Sequence, residues 1–272
     1  MNSNQWQDPQ RLLALYDLLQ QAGDAILTIY RQVGQWQLAH KADDSPVTAA
    51  DLAASRILVA GLPALVPAPV LSEEALVPFT ERRHWSHYWL VDPMDGTREF
   101  LAQTDEFVIN VAFMDNNEPV FGMLYQPVSG EAWWGGASMG AWRGRPGQAE
   151  QALKAGSAGH DLLALGSRRN QWQGQWRQRL EQAGYTVETR AVGSALKFMH
   201  LAEGKAQLYP RLGPTSEWDT AAPQAILEAA GGQLVQWNGE PLRYGKEDLL
   251  NPEFVAVSDP ALLVSLLQYT RC

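Results

Sequence analysis

The chain is nearly without cysteine: among 272 residues, Cys272 is the only one. A single thiol excludes an intrachain disulfide framework and any cysteine-built zinc or iron–sulfur centre. Basic charge is also short, with 21 Lys and Arg against 30 Asp and Glu and a net charge of −9. That balance argues against a surface that coats a nucleic-acid polymer. It leaves room for a small anionic substrate, because a bound cation inverts the local field. No apolar run approaches the roughly 20 residues of a membrane span, and the polar stretch over residues 1–11 predicts no signal peptide. What is present is an ordinary globular composition, 46% hydrophobic and 19% charged. It suffices for a core built as one large domain or two packed halves. A cytoplasmic protein is the expectation, with attachment to the inner face of a membrane left open.

Asp8 and Pro9 read as a cap and first turn, followed by Leu12, Leu15, Tyr16, Leu19, Ala22, Ile26 and Ile29 at helical spacing to about Tyr30. A short strand is expected over 34–38 and a polar loop over 41–46. A second helix runs from Thr48 to Gly61 and is broken over 63–69. Val70 and Leu71 form a short strand ending in Ser72, Glu73 and Glu74. Residues 107–114, 119–125, 132–134 and 140–142 read as an antiparallel meander. The 11 Trp residues are scattered and suit core filling better than a platform for stacking bases. The Gly- and Ala-rich segment 144–159 places a boundary between halves 1–150 and 151–272. Beyond it, strands at 162–165, 186–189, 206–209, 233–236 and 254–257 alternate with helices at 173–183, 194–202 and 218–230. The Gln-rich piece 171–182 carries Trp172, Trp176 and Leu180 at helical spacing and reads as an amphipathic surface helix. Asp259 caps a last helix to about Tyr269. The second half is thus α/β.

The chemistry concentrates at Trp89-Leu90-Val91-Asp92-Pro93-Met94-Asp95-Gly96-Thr97-Arg98-Glu99-Phe100. An apolar strand end meets Pro93, which has no N–H to donate and is expected to stop the ladder. Asp92 and Asp95 then flank a tight bend. Two converging carboxylates repel unless a cation or shared proton relieves them. With the carbonyl of Met94 they make a hard-oxygen set of the Mg²⁺ type. The N–H groups after Gly96 suit a phosphate. Taken alone, the segment also reads as an Asp-Pro turn with Asp95 as a cap. Thr48 and Asp51 have capping-box spacing. Their second reading is a hydroxyl and carboxylate that jointly orient a water. Glu73 after a strand, and Asp219 in the first turn of a helix, are individually unremarkable. Together, Asp51, Glu73, Asp92, Asp95 and Asp219 all lie at strand ends or helix starts, where α/β folds place their sites.

Three ordered motifs, Ser72-Glu73-Glu74, Asp92-Pro93-Met94-Asp95-Gly96-Thr97 and Trp218-Asp219-Thr220-Ala221-Ala222, resemble those of the metal-dependent, lithium-sensitive phosphomonoesterases of the inositol monophosphatase superfamily. Residues 41–51, 70–74, 193–198 and 208–215 resemble its bacterial 3'(2'),5'-bisphosphate nucleotidase branch in particular. The resemblance implies a layered α/β/α/β/α sandwich, α+β in its first half and α/β in its second, with the site between the halves. It implies two or three Mg²⁺ ions on Glu73, Asp92, Asp95, Asp219 and the Met94 carbonyl, through which Glu73, Met94, Asp95 and Asp219 also meet the substrate. By the same resemblance, Thr48, Asp51 and Glu73 position and deprotonate the attacking water, and Gly96 and Thr97 hold the scissile phosphate. Ser194, Lys197 and Arg211 lie on the nucleotide side, the two cations suiting a second phosphate by charge.

The expected reaction converts adenosine 3',5'-bisphosphate to AMP and phosphate, lithium-sensitive and linked to sulfate assimilation, in a monomer or homodimer. No covalent intermediate is needed. An inositol or sugar phosphatase remains the alternative, and a non-catalytic Mg²⁺ and nucleotide sensor a second. Three departures from the branch stand out. Arg98 replaces a usual lysine. Residues 166–170 replace a base-holding Ser-His pair, with Arg168 or Arg169 as substitutes. Glu217 adds an acid near the expected substrate entrance.

Overall fold

A computed structural model describes residues 6–32, 38–40, 46–168 and 175–267. The first half opens with α1 (Pro9–Tyr30), a two-strand ribbon β1 (Leu38–His40) and β2 (Pro46–Thr48), and α2 (Ala49–Leu65). Then come β3 (Val70–Ser72), α3 (Phe79–Arg82), β4 (His87–Asp95), α4 (Thr97–Leu101), β5 (Val108–Asp115), β6 (Glu118–Gln126), β7 (Glu131–Gly136), β8 (Gly140–Gly144) and β9 (Glu150–Ala152). These seven strands form one sheet in chain order, β3-β4-β5-β6-β7-β8-β9, antiparallel except for the β3–β4 pair.

The second half contains β10 (Asp161–Gly166), α5 (Trp176–Gln182), β11 (Thr186–Ala191), α6 (Leu196–Ala202), β12 (Leu208–Arg211), α7 (Glu217–Ala229), β13 (Gln233–Gln236), β14 (Phe254–Val257) and α8 (Leu262–Leu267). Its sheet runs β11-β10-β12-β14-β13, parallel on the β10 side and antiparallel on the β14 side.

Three apolar cores bind five layers, the central one spanning both faces of the middle helices. Alternation along the strands sends Trp89, Val91, Ile109, Val111 and Phe113 toward α1 and α2, where Leu15, Leu19, Ile26, Leu58 and Leu62 meet them at helical spacing. Trp6 stacks on Phe121 with ring centroids 4.1 Å apart, within this core. The opposite face of the same strands, with Leu90, Val108, Ala112 and Leu124, packs against α6 and α7. These two helices lie between the sheets. The outer core joins β10, β11 and β14 to α5 and α8 through Leu162, Val187, Val255, Trp176, Leu180 and Leu266. The result is the expected α/β/α/β/α sandwich. Close approach in the middle layer depends on Gly122, where a Cβ would lie 2.3 Å from the carbonyl oxygen of Ala222 in α7.

Several elements differ from the sequence reading. The second helix continues through Pro63 to Leu65, because proline removes only its own N–H and Val66 still donates to Leu62. Pro93 does not stop β4. Asp92 pairs with Asn110 and Asp95 with Val108, three steps on one strand against two on the other, and the proline falls inside that bulge. The short α3 and β9 had no periodic signal. The strand expected over 34–38 is described only at Leu38, extending to His40, and the loop over 41–45 lies outside the described residues. So do Trp172, Cys272 and the last helix beyond Leu267. Among the described residues, no helix is long and apolar enough to cross a membrane.

Candidate active site

The β4 bulge presents Asp92, Met94 and Asp95 in one short turn of chain. Asp92 Oδ1 accepts from the N–H of Met94 at 2.9 Å, which folds the bulge back on itself. Gly96 follows with φ +103°, and a Cβ there would lie 3.0 Å from the Glu106 carbonyl oxygen. A left-handed residue in so tight a space has to be glycine. It starts α4 without a side-chain cap. Asp95 is therefore no cap: its Oδ2 accepts instead from the N–H of Ala195, across the gap between the halves.

Thr48 and Asp51 do form a capping box. Asp51 Oδ2 accepts from both the N–H and the hydroxyl of Thr48 at 2.7 Å, and Ala50 N–H donates to Thr48 Oγ1 at 3.1 Å. Thr97 Oγ1 donates to Asp51 Oδ1 at 3.1 Å, joining the box to the bulge. The Thr48 proton is thus committed to a carboxylate, and one lone pair of its oxygen remains for a water. The cap and the water-orienting reading coexist in one geometry.

Asp219 reaches the site from the first turn of α7, its Oδ2 accepting from Ser216 N–H at 2.8 Å. Pro223 cannot donate back to the Asp219 carbonyl, so that turn is loosely bonded on one side. A strap over residues 245–251 fixes the helix start. Asn251 Nδ2 donates to the carbonyl of Ser216 and to Thr220 Oγ1, and Glu217 accepts from Gly245 N–H, Lys246 N–H and the Lys246 ammonium at 2.6 Å. This corrects the expectation for Glu217. It is fully buried and ties the strap rather than facing a substrate entrance.

One oxygen each from Asp92, Asp95 and Asp219 lies within 4.8 Å of the others. Glu73, half-buried at the end of β3, falls outside that triplet. Its charge nevertheless bears on every acid of the site. Burial pushes Asp92 well above the usual carboxylate range, with Glu73, Asp95 and Asp219 adding to the rise. Burial, then Asp95 and Glu73, raises Asp219, and burial also raises Asp51 and Asp95. Lys197 opposes the rise at Asp95 without cancelling it. Anionic oxygens gathered at this cost are a donor set for a hard divalent cation.

Beyond Asp95 lies the loop 192–195. Ser194 sits at φ +47° and is buried. Lys197 Nζ donates to the carbonyls of Val192 at 3.2 Å and Ser194 at 2.6 Å and lies 5.0 Å above the Tyr209 ring. Arg211 donates to the carbonyls of Gly213 and Pro214. Both cations therefore brace the loops they sit on. Glu106 was not foreseen: its Oε2 accepts from Gly193 N–H at 2.7 Å and from Arg168 at 2.6 Å. An isolated glutamate before an apolar strand carries no signal of this in the sequence. Arg168 also lies 3.6 Å from Glu99. Arg98 is exposed, and Arg169 lies outside the described residues.

A family model described as the inositol monophosphatase family matches residues 8–271. The chain belongs to the inositol monophosphatase family. It is 42% identical over 239 residues to the 3'(2'),5'-bisphosphate nucleotidase CysQ of Escherichia coli strain K12, covering 87% of this chain and 95% of that one. The protein of the same name in Salmonella typhimurium is 43% identical over the same length. The crystal structure of CysQ from Bacteroides thetaiotaomicron superposes with a TM-score of 0.77 at 37% identity, covering 91% of this chain and 96% of that one.

Proposed function

We propose that this protein is a Mg²⁺-dependent 3'(2'),5'-bisphosphate nucleotidase that hydrolyses adenosine 3',5'-bisphosphate to AMP and phosphate. The observation that carries the reading is the grouping of Asp92, Asp95 and Asp219 beside a hydroxyl–carboxylate pair whose proton is already directed inward. The pair caps α2 in any case; the remaining lone pair of the Thr48 oxygen is what a hydrolase, and not a binder, would use. The relatives named above support the substrate class.

In this reading Glu73, Asp92, Asp95, Asp219 and the carbonyl of Met94 hold two or three Mg²⁺ ions. When bound, the metal supplies Lewis-acid stabilisation of phosphoryl oxygens and a lowered pKa for water. Asp51 keeps the Thr48 hydroxyl pointed at itself, so the Thr48 oxygen accepts a hydrogen bond from the attacking water and orients it. Glu73 receives the proton. The backbone after Gly96 and the Thr97 hydroxyl face the scissile phosphate. Ser194, Lys197 and Arg211 line the nucleotide side, where positive charge suits the second phosphate. Among the described residues no cysteine or histidine lies in this constellation, which suits direct attack by water.

The test is phosphate release from adenosine 3',5'-bisphosphate and from inositol monophosphate at equal concentration, with Mg²⁺, with added Li⁺ and with a chelator. Mg²⁺-dependent, Li⁺-inhibited turnover of the nucleotide is expected, and would fit a place in sulfate assimilation. Preference for inositol monophosphate would keep the acidic centre and discard the assigned nucleotide contacts.

A further inference from the structure

Asn110 lies within β5, on the same face as Val108 and Ala112, which packs against α7. It is wholly inaccessible to solvent, and neither its amide nitrogen nor its amide oxygen has a hydrogen-bond partner. Buried amides are seldom left in that state, since desolvation is costly without a compensating bond. A second buried asparagine is at least half satisfied: Asn251 Nδ2 donates to Thr215, Ser216 and Thr220, and only its Oδ1 lacks a partner, whereas Asn110 lacks one at both atoms. A strand of this length would hold an aliphatic residue at position 110 at lower cost, as it does at Val108 and Ala112 on the same face.

The register says what Asn110 faces. It is paired directly with Asp92 across β4 and β5, at the edge of the bulge. Directly opposed residues project to the same face of a sheet. That face is covered by α7, which carries Asp219. The unpartnered amide therefore adjoins the most deeply buried acid of the triplet. Asp92 has one oxygen engaged by Met94 N–H.

We propose that Asn110 is a positioning residue for the acidic centre, its carboxamide donating to the Asp92 carboxylate when a divalent cation draws that carboxylate into place. The inference rests on the Mg²⁺ reading above and deepens it. The amide then carries its cost in the cation-free state and recovers it on binding. It fixes the orientation of a ligand that one backbone N–H alone leaves free to turn.

The test is the substitution Asn110→Leu, branched at the same carbon and apolar, with Asn110→Val, nearer in volume, as a second variant in case the first overpacks the site. Chelator-treated proteins are compared for thermal midpoint, and Mg²⁺ binding is measured by calorimetry. The expected result is a cation-free midpoint equal to or above that of the unsubstituted protein, with Mg²⁺ affinity lower by about tenfold or more. Unchanged Mg²⁺ affinity would overturn the proposal. So would a large fall in the cation-free midpoint of both variants, which would make Asn110 a structural partner already in that state. An unsubstituted protein that binds no Mg²⁺ would overturn the metal reading itself, and the role of Asn110 with it.

Discussion

The backbone N–H of Ala195 donates to the Oδ2 of Asp95, joining two residues one hundred positions apart. Asp95 belongs to the acidic triplet and Ala195 to the loop that Lys197 and Glu106 brace. The same carboxylate thus belongs to the acidic triplet and holds the loop 192–195. Displacement of either half is felt by the other through one hydrogen bond to a charged acceptor, a strong class of bond.

Replacing Asp95 with Asn removes the charge but keeps an oxygen for Ala195. Turnover is expected to fall by more than about 100-fold, since a direct metal ligand counts for more than its outer partners. The cation-free thermal midpoint is expected to hold or rise, because burial already disfavours the ionised form of Asp95. Phosphate-release kinetics and calorimetry check both. Retained activity in Mg²⁺-saturated protein would remove Asp95 from the centre.

Thr48 caps α2 and, in the proposed function, also orients the water; two substitutions separate the two roles. Thr48→Ala loses the cap and the hydroxyl, at a cost of about 1 kcal/mol in stability and about 100-fold in kcat. Thr48→Ser keeps both groups and is expected to stay within a few-fold of the parent. Urea unfolding and steady-state kinetics distinguish the two effects. Equal kcat in the Ala and Ser variants would leave Thr48 as a cap only.

The raised acids make stability depend on pH in a direction opposite to that of ordinary paired carboxylates. Asp95 is pushed up to about 6 and Asp219 to about 8, burial being the largest cause in each. A group whose pKa rises on folding binds its proton more tightly in the native state. Its contribution is full below the unfolded value near 4 and is lost as pH climbs through the folded value. Chelator-treated protein is therefore expected to lose thermal midpoint between about pH 5 and 8. Added Mg²⁺ favours the ionised forms, so its stabilising increment is expected to grow over the same window. An increment that shrinks with rising pH would contradict this.

Much of the fold was legible because period and punctuation agreed. Leu12, Leu15, Leu19 and Ile26 repeat at helical spacing behind an Asp-Pro start, and α1 follows from them. The strands at 233–236 and 254–257 emerge with the expected bounds. Proline was read too literally: Pro63 costs α2 one N–H bond without ending it, and Pro93 falls in a bulge where the ladder is already interrupted. The acids Asp51, Asp92, Asp95 and Asp219 were legible from their places at element ends. Glu106, Asn110 and the Glu217–Lys246 pair were not. Their parts depend on neighbours 87, 18 and 29 residues away, and no local pattern encodes such contacts.

The strap on α7 gives a prediction remote from the acids. Glu217 is buried and holds Gly245 and Lys246. Glu217→Ala strands those donors and is expected to cost about 3 kcal/mol or more in urea unfolding. Mg²⁺ affinity is expected to weaken with it, as the turn presenting Asp219 loosens. Glu217→Gln, which keeps one acceptor oxygen and the side-chain volume but loses the charge and the second acceptor, is expected to lose less of both. Equal losses in the two variants would contradict a strap held mainly by hydrogen bonds.

Asp92, Asp95 and Asp219 are proposed to hold Mg²⁺ for hydrolysis of a bisphosphate nucleotide. Phosphate release from adenosine 3',5'-bisphosphate, measured with Mg²⁺ and again after chelation, tests it most directly. Release that requires Mg²⁺ and falls with Li⁺ is the expected result. Release that persists without a divalent cation, or no release under any of these conditions, would contradict it.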